Sequence, residues 1–455
     1  MQKFLSDRYR TTKLRSATMF VLVTSVTSTV CAQTPDSNAD GFGLRWSGFA
    51  TLGLTHHSNE NAGVIAAFSQ KFPANKGVSG RLDTVGGLQA DLRFSEDTSA
   101  TVQAVARAGD DFKPQLRMAY VRQNVGADIA VRIGRFRSPL FADSDVTEIG
   151  FAYLSMRPPL PIYGVAASLP HIDGADLQWR HSFGQTGVQV QAYAGSRKGK
   201  HVFPNTTPPD EADFAVSGIR GLAVSVGLPN VTLRSSYTSF AQTTMRSPLL
   251  TQLNNGLAQV SGGLGAIAAN PFLPGPMKAA LGAQAKAVEG YINPYDSRPV
   301  YMSFGFDANI NRWRVIGELT TLDSRSPTVG RYAGGQFTLG YAWGTVTPYI
   351  TVSRNSRRSA PLDTSALTAT GLNPVLDGSI TQLKAAFDQA AQFADLSSNT
   401  KTLGLRWDVK ENLAVKLQFD QIRTPSKNNP GVLAVRQLPF DNRVNLFGAS
   451  LNYIF

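Results

Sequence analysis

The stretch that decides the fold is residues 442–455, NRVNLFGASLNYIF, at the end of the chain. Its side chains alternate in character, and one face collects the aromatic and apolar residues Phe447, Ala449, Leu451, Tyr453 and Phe455. Successive side chains of a β-strand point to opposite faces, so this pattern predicts a strand with one apolar face. The final aromatic residue of that face is also the final residue of the chain.

The same alternation starts at Gly43, where Leu44, Trp46, Leu52 and Leu54 share a face. It recurs in segments close to the roughly 9–11 residues with which a tilted barrel strand crosses a membrane. These segments predict sixteen strands, at about 43–55, 81–94, 99–109, 114–123, 128–136, 173–183, 186–196, 217–227, 230–240, 298–309, 312–322, 331–343, 345–353, 399–409, 411–423 and 442–455.

The connections between these segments are sorted by length. Every second one is very short, namely 95–98, 124–127, 184–185, 228–229, 310–311, 344 and 410, whereas the longest are 137–172, 241–297 and 354–398. A water-soluble sandwich also alternates, but nothing in that fold sorts its loops by end. Short turns at one end and long loops at the other indicate an all-β transmembrane antiparallel barrel with its short turns in the periplasm.

The tryptophans support this orientation. Trp46, Trp179, Trp313, Trp343 and Trp407 are all the tryptophans of the chain, and each lies on the apolar parity near the short-turn end. Membrane barrels carry girdles of aromatic residues where lipid tails meet headgroups. Ordinary core tryptophans would show no preference for one end.

The first 32 residues have the pattern of an export signal. Basic residues up to Arg15 precede an apolar stretch from Ala17 to Val23, and small residues up to Ala32 form a cleavage site. We therefore expect a signal peptide at 1–32 and a barrel over 33–455. The only cysteine, Cys31, lies in that signal, so we expect no disulfide, no Fe–S site and no other cofactor or metal in the product.

The charge of the product is basic. The formal net charge is +12, of which the signal contributes +4, so +8 remains after cleavage. Such a balance suits nucleic acid, an anionic membrane surface or anionic solutes, and an exported chain has little access to nucleic acid. The mean hydropathy of -0.13 and the lack of an apolar run of roughly 18 residues beyond the signal argue against a helical membrane protein.

A barrel of sixteen strands encloses an aqueous channel, whereas about eight strands would be filled by side chains. The inward parity agrees, because it carries Arg45, Arg93, Gln103, Arg107, Arg117, Arg132, Gln178, Arg180, Gln191, Arg234, Arg314, Glu318, Arg406, Lys416, Gln418 and Asp420. Arg45 and Arg93 are equally consistent with charges that cap the periplasmic rim.

The terminal strand, the long loop 137–172 and the motif IGRFRSPL at 133–140 resemble the sixteen-stranded trimeric porins of the Gram-negative outer membrane, including the anion-preferring phosphate type. The resemblance implies a homotrimer surrounded by lipid and lipopolysaccharide, and recognition of Phe455 by the barrel assembly machinery. It also implies that loop 137–172 folds inward and sets Asp143, Asp145 and Glu148 opposite wall arginines. Our constriction candidates are these acids with Arg107, Arg117, Arg132 and Arg234; a solvated loop face is the alternative for the acids.

Across a narrow wet passage, opposed acids and bases orient dipolar solutes, so we expect passive diffusion of small hydrophilic solutes. Because basic side chains outnumber carboxylates on the inward parity, we expect a preference for anionic solutes. The spacing within 379–396 predicts a surface helix. The Gly- and Ala-rich segment 249–288 is consistent with a partial lid, a subunit contact or an ordered cap.

Three other functions of an outer-membrane barrel compete with passive diffusion. An enzyme is disfavoured because His181 and Ser182 are neighbours on a strand and point to opposite faces, so we expect no catalytic residue. An energised transporter needs about 22 strands and a plug, and only ten residues, 33–42, precede the first strand. A structural or adhesive barrel whose long loops carry the function remains the alternative.

Overall fold

The computed structural model describes residues 42–166, 169–203, 210–326, 328–435 and 437–455, so the expected signal peptide lies outside the described residues. Within them, sixteen long strands form one closed antiparallel sheet, as the sequence predicted. Numbered β1 to β16 in chain order, they are Gly43–His57, Val85–Arg93, Thr98–Arg107, Gln115–Val125, Ile129–Arg137, His171–Phe183, Thr186–Phe203, Asp210–Gly227, Val231–Ser239, Val300–Ile310, Trp313–Asp323, Arg331–Tyr341, Val346–Arg357, Ser398–Lys410, Leu413–Arg423 and Arg443–Ile454.

The barrel closes where β16 meets β1. Their register runs from Phe49 opposite Ile454 to His56 opposite Phe447. The closure extends to the last residue, since the Gly48 amide donates to the Phe455 carbonyl (2.9 Å) and the Phe455 amide donates to the Gly48 carbonyl (3.0 Å). Closure of the sheet leaves no long unpaired edge, which a membrane barrel requires because lipid cannot hydrogen-bond free backbone groups.

The outer face of the barrel is apolar and the inner face is polar. On β1, Leu52 and Leu54 are exposed on the outside, while Thr51 and Thr55, which flank them in the sequence, are buried. The predicted aromatic girdle is partly visible in the exposure of the rings: Trp46, Trp313, Trp343 and Trp407 are exposed on the outside, and Trp179 is half-buried beside His181.

The predicted boundaries of several strands were wrong. The second strand begins at Val85, and the short strand Gly77–Ser79 before it pairs with the end of β1. Strands β7 and β8 continue about seven residues beyond their predicted extracellular ends and pair with each other there. Charged residues such as Lys198 and Lys200 interrupt the apolar parity in this extension, so the periodicity could not reveal it.

In the described part of the chain, four α-helices belong to the loops: α1 (Leu160–Ala166), α2 (Pro248–Ala268), α3 (Gly275–Glu289) and α4 (Pro374–Ala394). The last of these confirms the helix predicted within 379–396 and begins earlier, where the Asn373 side chain accepts the amides of Val375 and Leu376. Helices α2 to α4 share a buried core that includes Leu257, Leu264, Leu281, Val288, Ile380 and Phe387. Among the described residues, no helix combines the length and apolarity that a membrane crossing needs.

Candidate functional site

The long loop between β5 and β6, residues 138–170 and hereafter L3, contacts inward-facing side chains on the far wall of the barrel. The Leu140 carbonyl accepts hydrogen bonds from the hydroxyls of Ser236 on β9 and Ser303 on β10, both at 2.7 Å. The Ala142 amide donates to the Glu318 carboxylate on β11 at 2.9 Å. These bonds hold the first part of L3 against strands that lie four to six positions around the sixteen-stranded barrel from β5, the strand it leaves.

Backbone carbonyls in the middle of L3 accept hydrogen bonds from side chains of β14 and β15. Lys416 is fully buried, and its Nζ lies 2.6, 2.5 and 2.7 Å from the carbonyl oxygens of Gly150, Tyr153 and Ser155. An ammonium group has three donors, so these carbonyls use all of them. Arg406 donates to the Tyr153 carbonyl as well, at 2.5 Å.

Apolar packing holds the two ends of L3 against the wall of β5 to β8. The rings of Phe141 and Tyr163 stack with centroids 4.3 Å apart. They belong to a buried cluster that contains Phe136, Ile172 and Ile219 from the strands. L3 therefore has polar anchors on one side of the barrel and an apolar anchor on the other.

One acid of L3, Glu148, is shared by three guanidinium groups. Its oxygens lie 3.1 Å from Arg107 NH2, 2.8 Å from Arg117 Nε and 3.2 Å from Arg137 NH1. The carboxylate side chain is 4% exposed, against 26%, 9% and 7% for the three arginines. Burial raises the pKa of Glu148, but these guanidinium groups outweigh it and hold that pKa well below its ordinary value.

The other two candidate acids occupy different surroundings. Asp145 accepts a 2.7 Å bond from Arg234 NH1, and this arginine is 7% exposed. The Asp143 amide donates to the Tyr163 hydroxyl at 3.3 Å. The structure thus brings Arg107, Arg117 and Arg234 into direct contact with L3 acids.

Arg132 is placed differently from the other candidates. It pairs with Asp176 of β6, its Nε 3.0 Å from Oδ1, and its guanidinium lies 4.9 Å from the Tyr120 ring centroid. Its carboxylate partner therefore comes from a neighbouring strand, whereas we had expected one from L3. The sequence could not distinguish Asp176 from an L3 acid as the partner of Arg132, because both kinds of acid lie on the lumenal side.

Two further guanidinium groups face the lumen beside Arg132. Arg122 donates to the Asn124 side-chain oxygen at 3.0 Å, and Arg180 donates to the Gln178 side-chain oxygen at 2.9 Å. Sequence periodicity did not place Arg122 in the lumen. Arg117 on the same strand was assigned to the inward face, and Arg122 has the opposite parity. A bulge explains this: Gln103 pairs with Met118 and Ala104 with Leu116, so Arg117 is an extra residue and the parity switches after it.

Arg137 and Arg157 were also missed as site residues. Arg157 bridges Asp83, which it contacts twice at 2.7 Å, and Asp420 on β15. Both arginines lie at positions where strand periodicity ends, next to or within L3. The sequence offers no signal for their partners, since these are distant in the chain.

The chain is similar to solved outer-membrane proteins. OmpF of Salmonella typhi, solved in complex with daunomycin, matches with a TM-score of 0.51 at 10% identity, covering 91% of this chain and 98% of that one. OmpT of Vibrio cholerae has a TM-score of 0.48 at 10% identity, covering 92% and 99%. A mutant of the Rh. blastica porin has 0.43 at 11%, covering 91% and 100%.

No protein-family model and no curated protein matches the sequence. At this level of identity the likeness to OmpF shows the fold alone. The chain therefore has the fold of an outer-membrane barrel, and its apolar outer belt fits the outer membrane of a Gram-negative bacterium, the location that the sequence predicted.

Proposed function

We propose that the chain is a porin that passes small hydrophilic solutes through its lumen by passive diffusion, with a preference for anions. The observation that supports the preference is the surplus of guanidinium groups on the lumenal face of β4 to β6. There Arg132 is paired with Asp176, while Arg122 and Arg180 donate to the neutral side chains of asparagine and glutamine. Such a wall attracts anions and raises their local concentration.

The constriction in this proposal lies beside L3. Salt screens charges in the wet lumen over about 8 Å at physiological ionic strength, so the wall selects ions only where the passage is narrow. The residues proposed for that zone are Arg107, Arg117, Arg132, Arg234, Asp143, Asp145 and Glu148. The direct pairing of two of the acids with wall arginines reduces the transverse field and leaves the unpaired cations dominant.

Other features of the proposal concern assembly. We propose a homotrimer embedded in lipid and lipopolysaccharide, with Phe455 recognised by the assembly machinery. The Phe455 ring lies over Gly48 on the outside of the closing seam, where a Cβ on Gly48 would come within 2.4 Å of it. A ring at this place is available until β1 and β16 pair. The proposal includes no catalytic step.

The preference is tested by the reversal potential of the purified protein in a planar bilayer under a KCl gradient. We expect anion selectivity for the wild type and a shift toward cations for the double variant Arg122→Gln, Arg180→Gln. The matched control is the double variant Arg354→Gln, Lys401→Gln, which removes the same two charges from exposed positions toward the extracellular ends of β13 and β14. A cation-selective wild type, or equal shifts in the double variant and the control, would refute the preference.

A structural or adhesive barrel is the second candidate. Helices α2 to α4 favour it, because they build a buried core of their own outside the strands. Deleting 248–289 separates the two: an adhesive barrel loses its surface binding, whereas a porin keeps an ion conductance.

A further inference from the structure

A partly enclosed chamber of about 130 Å³ lies between L3 and the inner wall of β1 to β5. The wall contributes one residue from each strand, from Thr51 on β1 to Arg137 on β5. One water molecule needs about 10–15 Å³ of such space, so the chamber has room for a solute of about ten non-hydrogen atoms.

The loop after β1, residues 58–84 and hereafter L1, covers the extracellular side of the chamber with the segment from Ala66 to Gln70. L1 reaches across the barrel mouth to β7, where the Val202 amide donates to the Phe68 carbonyl at 2.8 Å. The Phe68 ring also stacks on His201 at 5.6 Å, and Lys71 pairs with Glu211 on β8 at 3.1 Å. The chamber is therefore bounded by L1 on the extracellular side and by L3 on the other.

One end of the chamber has an excess of positive charge. Three guanidinium groups, those of Arg107, Arg117 and Arg137, share the Glu148 carboxylate. The nearby Asp110 carboxylate accepts bonds from the Gln115 side chain (3.1 Å) and the Lys71 amide (3.2 Å). Three cations against two anions leave one positive charge in excess, and an uncompensated charge in a largely buried place is unfavourable.

The other end has an excess of negative charge. Arg157 lies between the carboxylates of Asp83 and Asp420, which are 3% and 5% exposed. Asp83 and Arg157 line the chamber, and Asp420 of β15 contacts Arg157 from outside the lining. Asp83 packs against Gly53 of β1, so this group lies toward β1 and β15, whereas the arginines of the first group belong to β3 to β5. Two anions against one cation leave one negative charge in excess.

The surface between the two ends is mainly apolar. It is formed by Leu82, Val85, Phe141, Met156, Leu160 and Leu169. An apolar cavity with a few convergent charged groups is the usual form of a small-molecule site. Its charge pattern matches a molecule with an anionic group, a cationic group and an apolar body.

We propose that this chamber is a saturable binding site for a small zwitterion with an apolar body, such as an α-amino acid with an aliphatic side chain. The carboxylate of the ligand faces Arg107, Arg117 and Arg137, its ammonium group faces Asp83, and its side chain contacts the apolar surface. The proposal rests on the proposed function in one respect, namely that the solute reaches the chamber through the pore. A porin without this site would pass such a solute without saturation.

The test is isothermal titration calorimetry of the purified, detergent-solubilised wild type with three probes that share one apolar body. These are L-leucine, 4-methylpentanoate, which lacks the ammonium group, and 3-methylbutylamine, which lacks the carboxylate. A charge-assisted contact contributes about 1.5–3 kcal/mol, so each deletion should weaken binding about tenfold or more. Titration into micelles alone is the blank. Absence of leucine binding, or equal affinity for leucine and either analogue, would overturn the proposal.

Variants locate the site. Arg107→Gln changes the most exposed of the three arginines and should weaken leucine binding about tenfold. Arg354→Gln, at an exposed position on β13 outside the chamber lining, should leave it unchanged. If Arg107→Gln binds leucine as the wild type does, and its barrel is still heat-modifiable in gels, the ligand does not bind in this chamber. KCl conductance without leucine is measured in parallel: a conducting barrel that does not bind leucine refutes this inference alone, whereas a leucine-binding barrel that does not conduct refutes the porin proposal alone.

Discussion

Replacing Lys416 by Met should release the middle of L3 while leaving the barrel intact. The substitution removes three hydrogen bonds from a fully buried ammonium group to the carbonyls of Gly150, Tyr153 and Ser155. Each such charge-assisted bond contributes about 1.5–3 kcal/mol. The lower value gives about 4.5 kcal/mol for the three, which corresponds to a roughly thousandfold change in the equilibrium for local opening of L3. The carbonyls left without a donor add to this penalty.

The barrel itself should survive, because its strands are held by backbone pairing that the Lys416 side chain does not make. We therefore expect unchanged heat-modifiability in gels, together with faster proteolysis within L3 and noisier single-channel currents. The control is Lys401→Met, the same change at an exposed position on β14. Identical proteolysis and current noise in Lys416→Met and wild type would refute the anchoring role of Lys416.

Three further predictions concern assembly, pH and processing. Removing Phe455 should lower assembly far more than the stability of barrel already formed, since one terminal ring contributes only about 1.5–3 kcal/mol of burial; equal yields of heat-modifiable barrel would contradict this. Burial raises the pKa of Glu148, but its three guanidinium neighbours lower it further, so its ion pairs persist down to the ordinary glutamate pKa of about 4.3 and are lost only below it. The contribution of Glu148 to the conductance should therefore stay constant from about pH 7 to about pH 5, and a step in that range that Glu148→Gln abolishes would argue against the pairing. The mature protein should begin near Gln33, and a mass spectrum of the outer-membrane form that retains Arg10 would exclude that cleavage site.

The strand order was predictable because each strand carries its own signal. The alternation of Leu52 and Leu54 with Thr51 and Thr55 is complete within one segment, and the structure places the two sets on opposite faces. Only neighbouring residues are needed to read such a pattern. The closing strand was predictable for the same reason.

The pairing inside the lumen was not predictable to the same degree. Arg122 faces the lumen because the extra residue Arg117 switches the parity of β4, and a bulge depends on the partner strand as well as on local sequence. Lys416 was expected to face water, yet L3 covers it completely with three carbonyls. Contacts of this kind join residues more than two hundred positions apart, and no periodicity encodes them.

The helical loops show an intermediate case. The apolar spacing around Phe387 predicted α4, but the Gly- and Ala-rich segment that forms α2 and α3 gave no amphipathic pattern clear enough to predict them. Their shared core explains the composition, since Gly256 and Gly263 of α2 face leucine side chains of α4. Small residues there permit close helix packing, and that function is invisible until the partner helix is placed.

Single-channel recording of the purified protein in a planar lipid bilayer shows whether this barrel conducts ions. We expect discrete, stepwise increases in current in KCl, with anions carrying the larger share. A correctly folded, heat-modifiable barrel that inserts into the bilayer and produces no conductance steps would contradict it.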